Sequence, residues 1–401
     1  MVHPVRGSVE LSEEQRVFRR SVRELCSEFD DAYWRERDAT GEYPHEFVDA
    51  LADGGWLGVL IPEEYGGAGM STVESVILME EIAASGGGFG AAQAVHGGVY
   101  NSVPLVNYAD EATKAELLPK VAAGEVSVQS FGLTEPNAGS ESTAIETTAT
   151  REGDEYVVNG QKIWTSRVDV SDYLLLVVRT TPVADVEKET RGLSLLLVDL
   201  DDATGQGALR MEPIPKTAGE FVHSFELWFD DLRVPAGNLV GTEGEGFYHL
   251  LDGLNEERLV VAAECVGLGE LAVERGAAYA REREVFGRPI GANQAVQHPL
   301  AAAHAHVQAA KEVTYAAARR TDDLTRRELG GRANTAKYLA AEACFEAADA
   351  AVQAHGGFGV AREYDVERYL REARLTRLVP VTQQLALNYV AEKVLSLPRS
   401  Y

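Results

Sequence analysis

The chain is short of basic residues. It has 37 Lys and Arg against 63 Asp and Glu, a formal net charge of -26, and lysine is scarce beside arginine. Nucleic-acid binding needs a basic footprint, so nucleic acid is excluded as a partner. An acidic chain that holds a phosphate-bearing ligand must gather its arginines locally. Cysteine is also rare. Cys26, Cys265 and Cys344 are scattered without a C-x-x-C pair or a Cys/His cluster, which argues against a disulfide framework and a zinc site. In HPLAAAHAH, His304 and His306 point to different faces of a helix and, with His298, read as solvent or core residues. No run reaches the roughly 18 apolar residues of a membrane span. YLLLVV and LSLLLVDL have the length of buried strands. The opening MVHPVRGSVELSEEQ lacks the basic-then-apolar pattern of a secretion signal, so the expected location is the cytoplasm. The glycines of SGGGFG and GLGEL do not follow a strand and open a helix. They read as turns and helix packing, and a Rossmann unit is not supported.

What the chain does contain changes twice along its length. Residues 1–125 read as helical, opening at Ser12 ahead of Glu13 and Glu14, with glycine and proline breaks at IPEEYGGAGM and SGGGFG. Residues 126–242 carry short β-branched or aromatic runs: VSVQSFGLTE, EYVVNGQKIWTS, YLLLVVRT, LSLLLVDL and HSFELWFDDLRV. These predict a compact β-domain, and Asn159-Gly160 is a hairpin signal within it. Residues 243–401 are Ala-rich and helical again. The expected fold is α+β and multidomain: an N-terminal helical domain, a β-barrel-like middle domain and a C-terminal four-helix bundle.

Three segments carry chemistry-bearing groups. FGLTEPNAGSE, Phe131 to Glu141, offers amides and hydroxyls to a polar ring edge, and Gly139 permits close approach. NGQKIWTS, Asn159 to Ser166, offers the flat Trp164 followed by two hydroxyls, although a lone tryptophan is more often a core residue. In QAHGGFGVAREYDVERYLREAR, Gln353 to Arg374, a helix ends on paired glycines, which serve equally as an ordinary cap.

Taken together, these segments resemble the acyl-CoA dehydrogenase family over nearly the whole chain. GLTEPNAGSE is similar to its first signature, with Glu141 where aspartate is usual. QAHGGFGVAREYDVERYLRE is similar to the second, with Glu363, Arg368 and Glu372 at the expected intervals. YGGAG and REREVFGRPIGANQ are further landmarks. The resemblance implies FAD and oxidation of an acyl thioester to its 2,3-enoyl form. Phe131, Leu133, Thr134, Gly139 and Ser140 match positions lining the flavin, and Ser140 also the acyl-CoA. Trp164 and Ser166 match residues that cover the ring and bond its edge. Arg283, Phe286 and Gln294 match positions reaching the FAD of a neighbouring subunit. Gln353, Gly356 and Gly357 match the loop around its ADP end, and Thr382 and Gln384 match contacts past the active-site loop. The resemblance also implies a homo-oligomer, most often a dimer of dimers, and electron-transfer flavoprotein as acceptor. A flavin oxidase or monooxygenase, a silent subunit of a hetero-oligomer, and an acyl carrier protein in place of CoA are alternatives.

The reaction needs a base for the α-proton and donors for the thioester oxygen. In many members a glutamate of the C-terminal loop is the base and its N–H a donor. Alignment on Thr382 and Gln384 places Pro380 there, with neither carboxylate nor N–H. No acidic residue lies between Ala373 and Ala391. Losing such a donor costs roughly 2.7–4 kcal/mol, so a replacement is expected. The alternative base lies in GFYHLLDGLNEERLVVAAE. At 3.6 residues per turn, Leu250, Leu254, Glu257 and Val261 share a stripe, so Glu257 interrupts an apolar face. Glu256 points away and is expected to be better solvated. An isolated Glu there would be read as an ion pair with an arginine. The isovaleryl-CoA and long-chain branches, however, carry their base on this helix just before an arginine, and Glu257-Arg258 resembles that pair. Arg258 also matches a substrate-contacting arginine, with Asn255 a second substrate position.

Overall fold

The computed structural model describes residues 9–399. The first eight residues, part of the opening read for a secretion signal, lie outside it.

The first helices are α1 (Glu13–Cys26), α2 (Asp31–Thr40), α3 (His45–Asp53), α4 (Thr72–Ala83), α5 (Gly88–Tyr100), α6 (Ser102–Tyr108) and α7 (Glu111–Ala122). Ser12 caps α1 as expected. Its hydroxyl accepts from the Gln15 N–H at 3.1 Å, and Gln15 returns the bond to the Ser12 N–H, a reciprocal box worth about 1 kcal/mol. Helices α4 and α5 are almost wholly buried, because they lie between the outer helices and the C-terminal bundle.

The middle segment holds β1 (Ser130–Gly132), β2 (Thr148–Glu152), β3 (Glu155–Ser166), β4 (Tyr173–Arg179), β5 (Leu193–Asp199), a short α8 (Leu200–Gly205), β6 (Leu209–Pro213) and β7 (Ser224–Pro235). They form one sheet in the order β1-β4-β2-β3-β7-β6, with β5 also pairing β4. Strands β4 and β5 are buried nearly throughout, which explains their unbroken apolar sequences. The exposed β2 and β6 carry TATRE and LRMEP and gave no strand signal. Asn159-Gly160 is not a hairpin turn. The chain reverses six residues earlier, at Gly153-Asp154 between Glu152 and Glu155. Asn159 instead bonds Asp231 through both ends of its amide, and the β3–β7 register shifts between Val158 and Gly160. The dipeptide makes a bulge, with glycine required because a Cβ would strike Thr147.

The last segment has α9 (Gly246–Glu282), a small hairpin of β8 (Glu284–Val285) and β9 (Arg288–Pro289), α10 (Gln294–Ala318), α11 (Arg326–His355), α12 (Val366–Thr376) and α13 (Gln383–Tyr389). Helices α9, α10, α11 and α12 pack together and against α4 and α5. Gly267 and Gly269 lie inside α9, where a Cβ on Gly267 would meet the Glu80 carbonyl of α4. GLGEL is therefore a helix-packing element. Among the described residues, no helix is long and apolar enough to cross a membrane.

Candidate active site

Trp164 decides how the middle domain is read. Its side chain is 53% exposed and its φ is +63°, as is that of Arg167. Such non-glycine backbone costs of order 1–3 kcal/mol, and the half-exposed indole forgoes about 2 kcal/mol of burial. This tryptophan is therefore not a core residue, and the strained turn holds a flat aromatic face outward. The Thr134 carbonyl accepts from the Ile163 N–H at 2.9 Å, so the first signature runs alongside this turn. Beneath it, Lys162 donates to the Leu133 carbonyl and to Glu135, and Glu135 also accepts from the Glu146 and Thr147 amides. Phe131 and Leu133 are half-buried, while Gly139 and Ser140 are exposed. A Cβ at Gly139 would project into open space. Ser166 shares a 2.8 Å hydroxyl contact with Ser224.

A second surface forms where α11 ends. A cavity of about 640 Å³ is lined by Gln353, Gly356, Gly357, Arg283, Tyr279 and Phe358, among others. The Arg283 guanidinium lies 5.9 Å from the centre of the Phe358 ring. Gly356 has φ +60°, and neither glycine would place a Cβ within 4 Å of other atoms. A cation, aromatic faces and bare backbone suit an anionic, ring-bearing group. Phe286 is fully exposed at φ +54°, and Gln294 is exposed at the start of α10. Neither lines this cavity.

The third group of candidates lies on α9 and in the loop before α13. Leu250 and Val261 are buried, while the Glu257 side chain keeps 17% of its surface exposed. The side chain facing its carboxylate is not an arginine. It is His96 of α5, whose Nε2 lies 3.6 Å from Oε1. Arg258 donates to the Leu254 carbonyl and to Asn255 Oδ1, and burial lowers its pKa. Asn255 is buried and also donates to the Arg326 carbonyl, so its amide braces Arg258. Glu256 departs from expectation. Its Oε2 is buried without a partner among the described residues, and burial, aided by Asp322, pushes its carboxyl up to about 7. Helix α9 runs between α4, α5, α10 and α11, so rotating 100° off the apolar stripe leaves a side chain partly covered by neighbouring helices.

In the loop, Pro380 is exposed and follows a cis peptide bond. Lys337 of α11 is fully buried beneath it and donates to the Val381 carbonyl at 2.6 Å and to Gln383 at 3.1 Å. Gln383 also donates to the Tyr338 carbonyl and to Glu342, and Glu342 accepts a bidentate bond from Arg377. Thr382 caps α13, and Gln384 points outward. The sequence reading missed this support, along with His96 and the Lys162–Glu135 pair. Arg368 and Glu372 of the second signature are buried supports as well. Arg368 donates to the carbonyls of Gly86 and Gly87, and Glu372 accepts from the Gly90 N–H, tying α12 to the glycine-rich start of α5.

The first and third of these are linked. Arg167, directly after Ser166, donates to the Gln93 carbonyl, and Gln93 and His96 both bond Glu264 of α9. The turn bearing Trp164 is thus fixed against the helices carrying His96 and Glu257. Comparison with known proteins gives the family. Residues 12–125, 130–232 and 244–395 match the N-terminal, middle and C-terminal domains of acyl-CoA dehydrogenase. The chain belongs to the acyl-CoA dehydrogenase family. It is 36% identical over 390 residues to the acyl-CoA dehydrogenase FadE12 of Mycobacterium bovis, covering 97% of this chain and 98% of that one. Its fold is similar to a glutaryl-coenzyme A dehydrogenase in complex with glutaryl-CoA, at a TM-score of 0.90 and 30% identity over 98% of both chains. It is also similar to butyryl-CoA dehydrogenase from Megasphaera elsdenii, at 0.88 and 28% over 97% of this chain and all of that one. Like its family, this acyl-CoA dehydrogenase is a flavoprotein oxidoreductase whose cofactor is FAD. Its exposed indole and its glycine-lined cavity fit a flavin ring and a dinucleotide tail.

Proposed function

We propose that this acyl-CoA dehydrogenase oxidises an acyl-CoA to the 2,3-enoyl-CoA with Glu257 as the base. The observations that carry this reading are a partly open carboxylate on α9 and the absence of any acidic residue from Arg374 to Val390. FAD, when bound, supplies the hydride acceptor. Trp164 covers one face of the ring, and Thr134 and Ser166 meet its edge. The cavity at Gln353, Gly356 and Gly357 takes the ADP end. Arg283 lines that same cavity, so a dinucleotide reached by Arg283 from a neighbouring subunit is reached by this loop too. Phe286 and Gln294 extend that contact, in keeping with a homo-oligomer, a dimer of dimers.

At the substrate, Glu257 removes the α-proton, which ends on a carboxylate oxygen. Arg258, held by Asn255 and the Leu254 carbonyl, contacts the acyl-CoA, as does Ser140. Pro380 gives no N–H to the thioester oxygen, and Lys337 holds the Val381 carbonyl toward α11. A branched or medium-to-long acyl chain and electron-transfer flavoprotein complete the proposal. The test is anaerobic mixing with butyryl-, isovaleryl-, octanoyl- and palmitoyl-CoA. Flavin bleaching by at least one, with slow reoxidation by oxygen and fast reoxidation by electron-transfer flavoprotein, is expected. No bleaching by any of them, or reoxidation fastest with oxygen, contradicts it.

A further inference from the structure

Helix α5 turns Gln93, His96 and Tyr100 toward α9, at spacings that share one helical face. Glu257 and Glu264 stand two turns apart on α9, and His96 lies between them. Its Nδ1 is 2.7 Å from Glu264 Oε1, and its Nε2 is 3.6 Å from Glu257 Oε1. Glu264 is completely buried, and its other oxygen accepts from Gln93 at 2.8 Å. The array is therefore carboxylate, imidazole, carboxylate, sealed at the Glu264 end and open at the Glu257 end. Glu264 needs one donor from His96 to satisfy its burial, and Nδ1 supplies it. Packing leaves the second ring nitrogen free to face another group, and that group is Glu257.

Resting on the reading of Glu257 as base, we propose that His96 is a positioning residue for it: anchored by Glu264, it presents Nε2–H to the Glu257 carboxylate, orients it and holds it ready to accept a proton. Burial alone would keep the imidazole neutral. Glu264 and then Glu257 outweigh burial and push it up to about 9, so it is charged at neutral pH. The other groups facing the pair do not take its place. Arg167 acts on both carboxylates, but its own hydrogen bonds go to the Gln93 and Gln129 carbonyls. The Tyr100 ring, 6.1 Å from His96, carries a phenol that burial keeps neutral. Arg258 bonds Asn255 and the Leu254 carbonyl. In the reaction the α-proton ends on a Glu257 oxygen, while both imidazolium protons stay in place.

The test is the pH profile of flavin reduction by saturating acyl-CoA, using the best reductant of the panel above. Wild-type holoenzyme is compared with Glu264→Gln, His96→Gln and Glu257→Gln. Wild type should lose rate as pH rises through about 9. In Glu264→Gln, which keeps a bond to the ring but not its charge, that limb should fall toward the ordinary histidine value of about 6.5. His96→Gln should lack the limb and be roughly 10–100-fold slower at neutral pH in kcat, with KM little changed. Wild-type profiles and rates in Glu264→Gln and His96→Gln, with Glu257→Gln inactive, overturn the role of His96 and leave the base in place. An active Glu257→Gln overturns both. A purely structural role would cost flavin content or melting temperature without moving the limb.

Discussion

Glu256 and Glu257 are neighbours in sequence and differ in surroundings. Glu257 has a histidine beside it and some exposure, whereas Glu256 has a buried oxygen without a partner among the described residues. The Glu256 carboxyl is raised to about 7, so the folded state keeps a proton that the unfolded chain has lost. Stability on its account is intact below about 4.5 and falls as pH rises through about 7. Glu256→Gln should therefore raise the melting temperature at pH 8 and leave it nearly unchanged at pH 4, as read by thermal scans at both values. The sequence showed that Glu257 breaks an apolar stripe but not what faces it. His96 sits in GAAQAVHGGVY, a stretch of small apolar residues, and its partner Glu264 is 168 residues away. Trp164 is a different case. A lone tryptophan is more often a core residue, but the family resemblance assigned it to the flavin, and the left-handed backbone near the end of β3 turns it outward.

At the scale of elements, the loop before α13 shows how a proline-bearing segment is held. It offers no acid, and no N–H at Pro380, yet it is held from below by Lys337, Glu342 and Gln383. Burial pulls the Lys337 ammonium down to about 8, and it remains a hydrogen-bond donor when neutral. Lys337→Met should leave the Val381 carbonyl unsatisfied and cost about 1–3 kcal/mol, measured by urea denaturation of the holoenzyme. An unchanged midpoint would show that the loop is fixed by its other contacts. The strong strands β3, β4, β5 and β7 were legible because their apolar or aromatic residues are buried. The exposed β2 and β6 were not, since pairing with a neighbour leaves no apolar pattern. Asn159-Gly160 misled because the same backbone freedom serves a hairpin and a bulge, and the choice was made by Asp231, 72 residues on.

At the scale of the whole molecule, the broad fold was legible because its three segments differ in hydrophobic period. The supports joining them were not, since Arg368 meets Gly86 and Gly87, and Arg167 meets Gln93, only after folding. The proposed function has the dinucleotide site completed between subunits, with the exposed Phe286 and the cavity at Arg283 as its parts. Phe286→Asp should reduce both the bound FAD per chain and the mass found by light scattering, while circular dichroism stays that of the wild type. Full flavin content in a smaller particle would show that each chain holds its cofactor alone.

The central claim is that proton abstraction has moved from the C-terminal loop to α9. Rapid anaerobic mixing of holoenzyme with its best acyl-CoA, following flavin absorbance, measures that step directly. Glu257→Gln should bind FAD and substrate but reduce flavin roughly 10²–10⁴-fold more slowly, while Glu256→Gln keeps a rate near that of the wild type. Reduction at the normal rate in Glu257→Gln, or its loss in Glu256→Gln alone, would contradict the account.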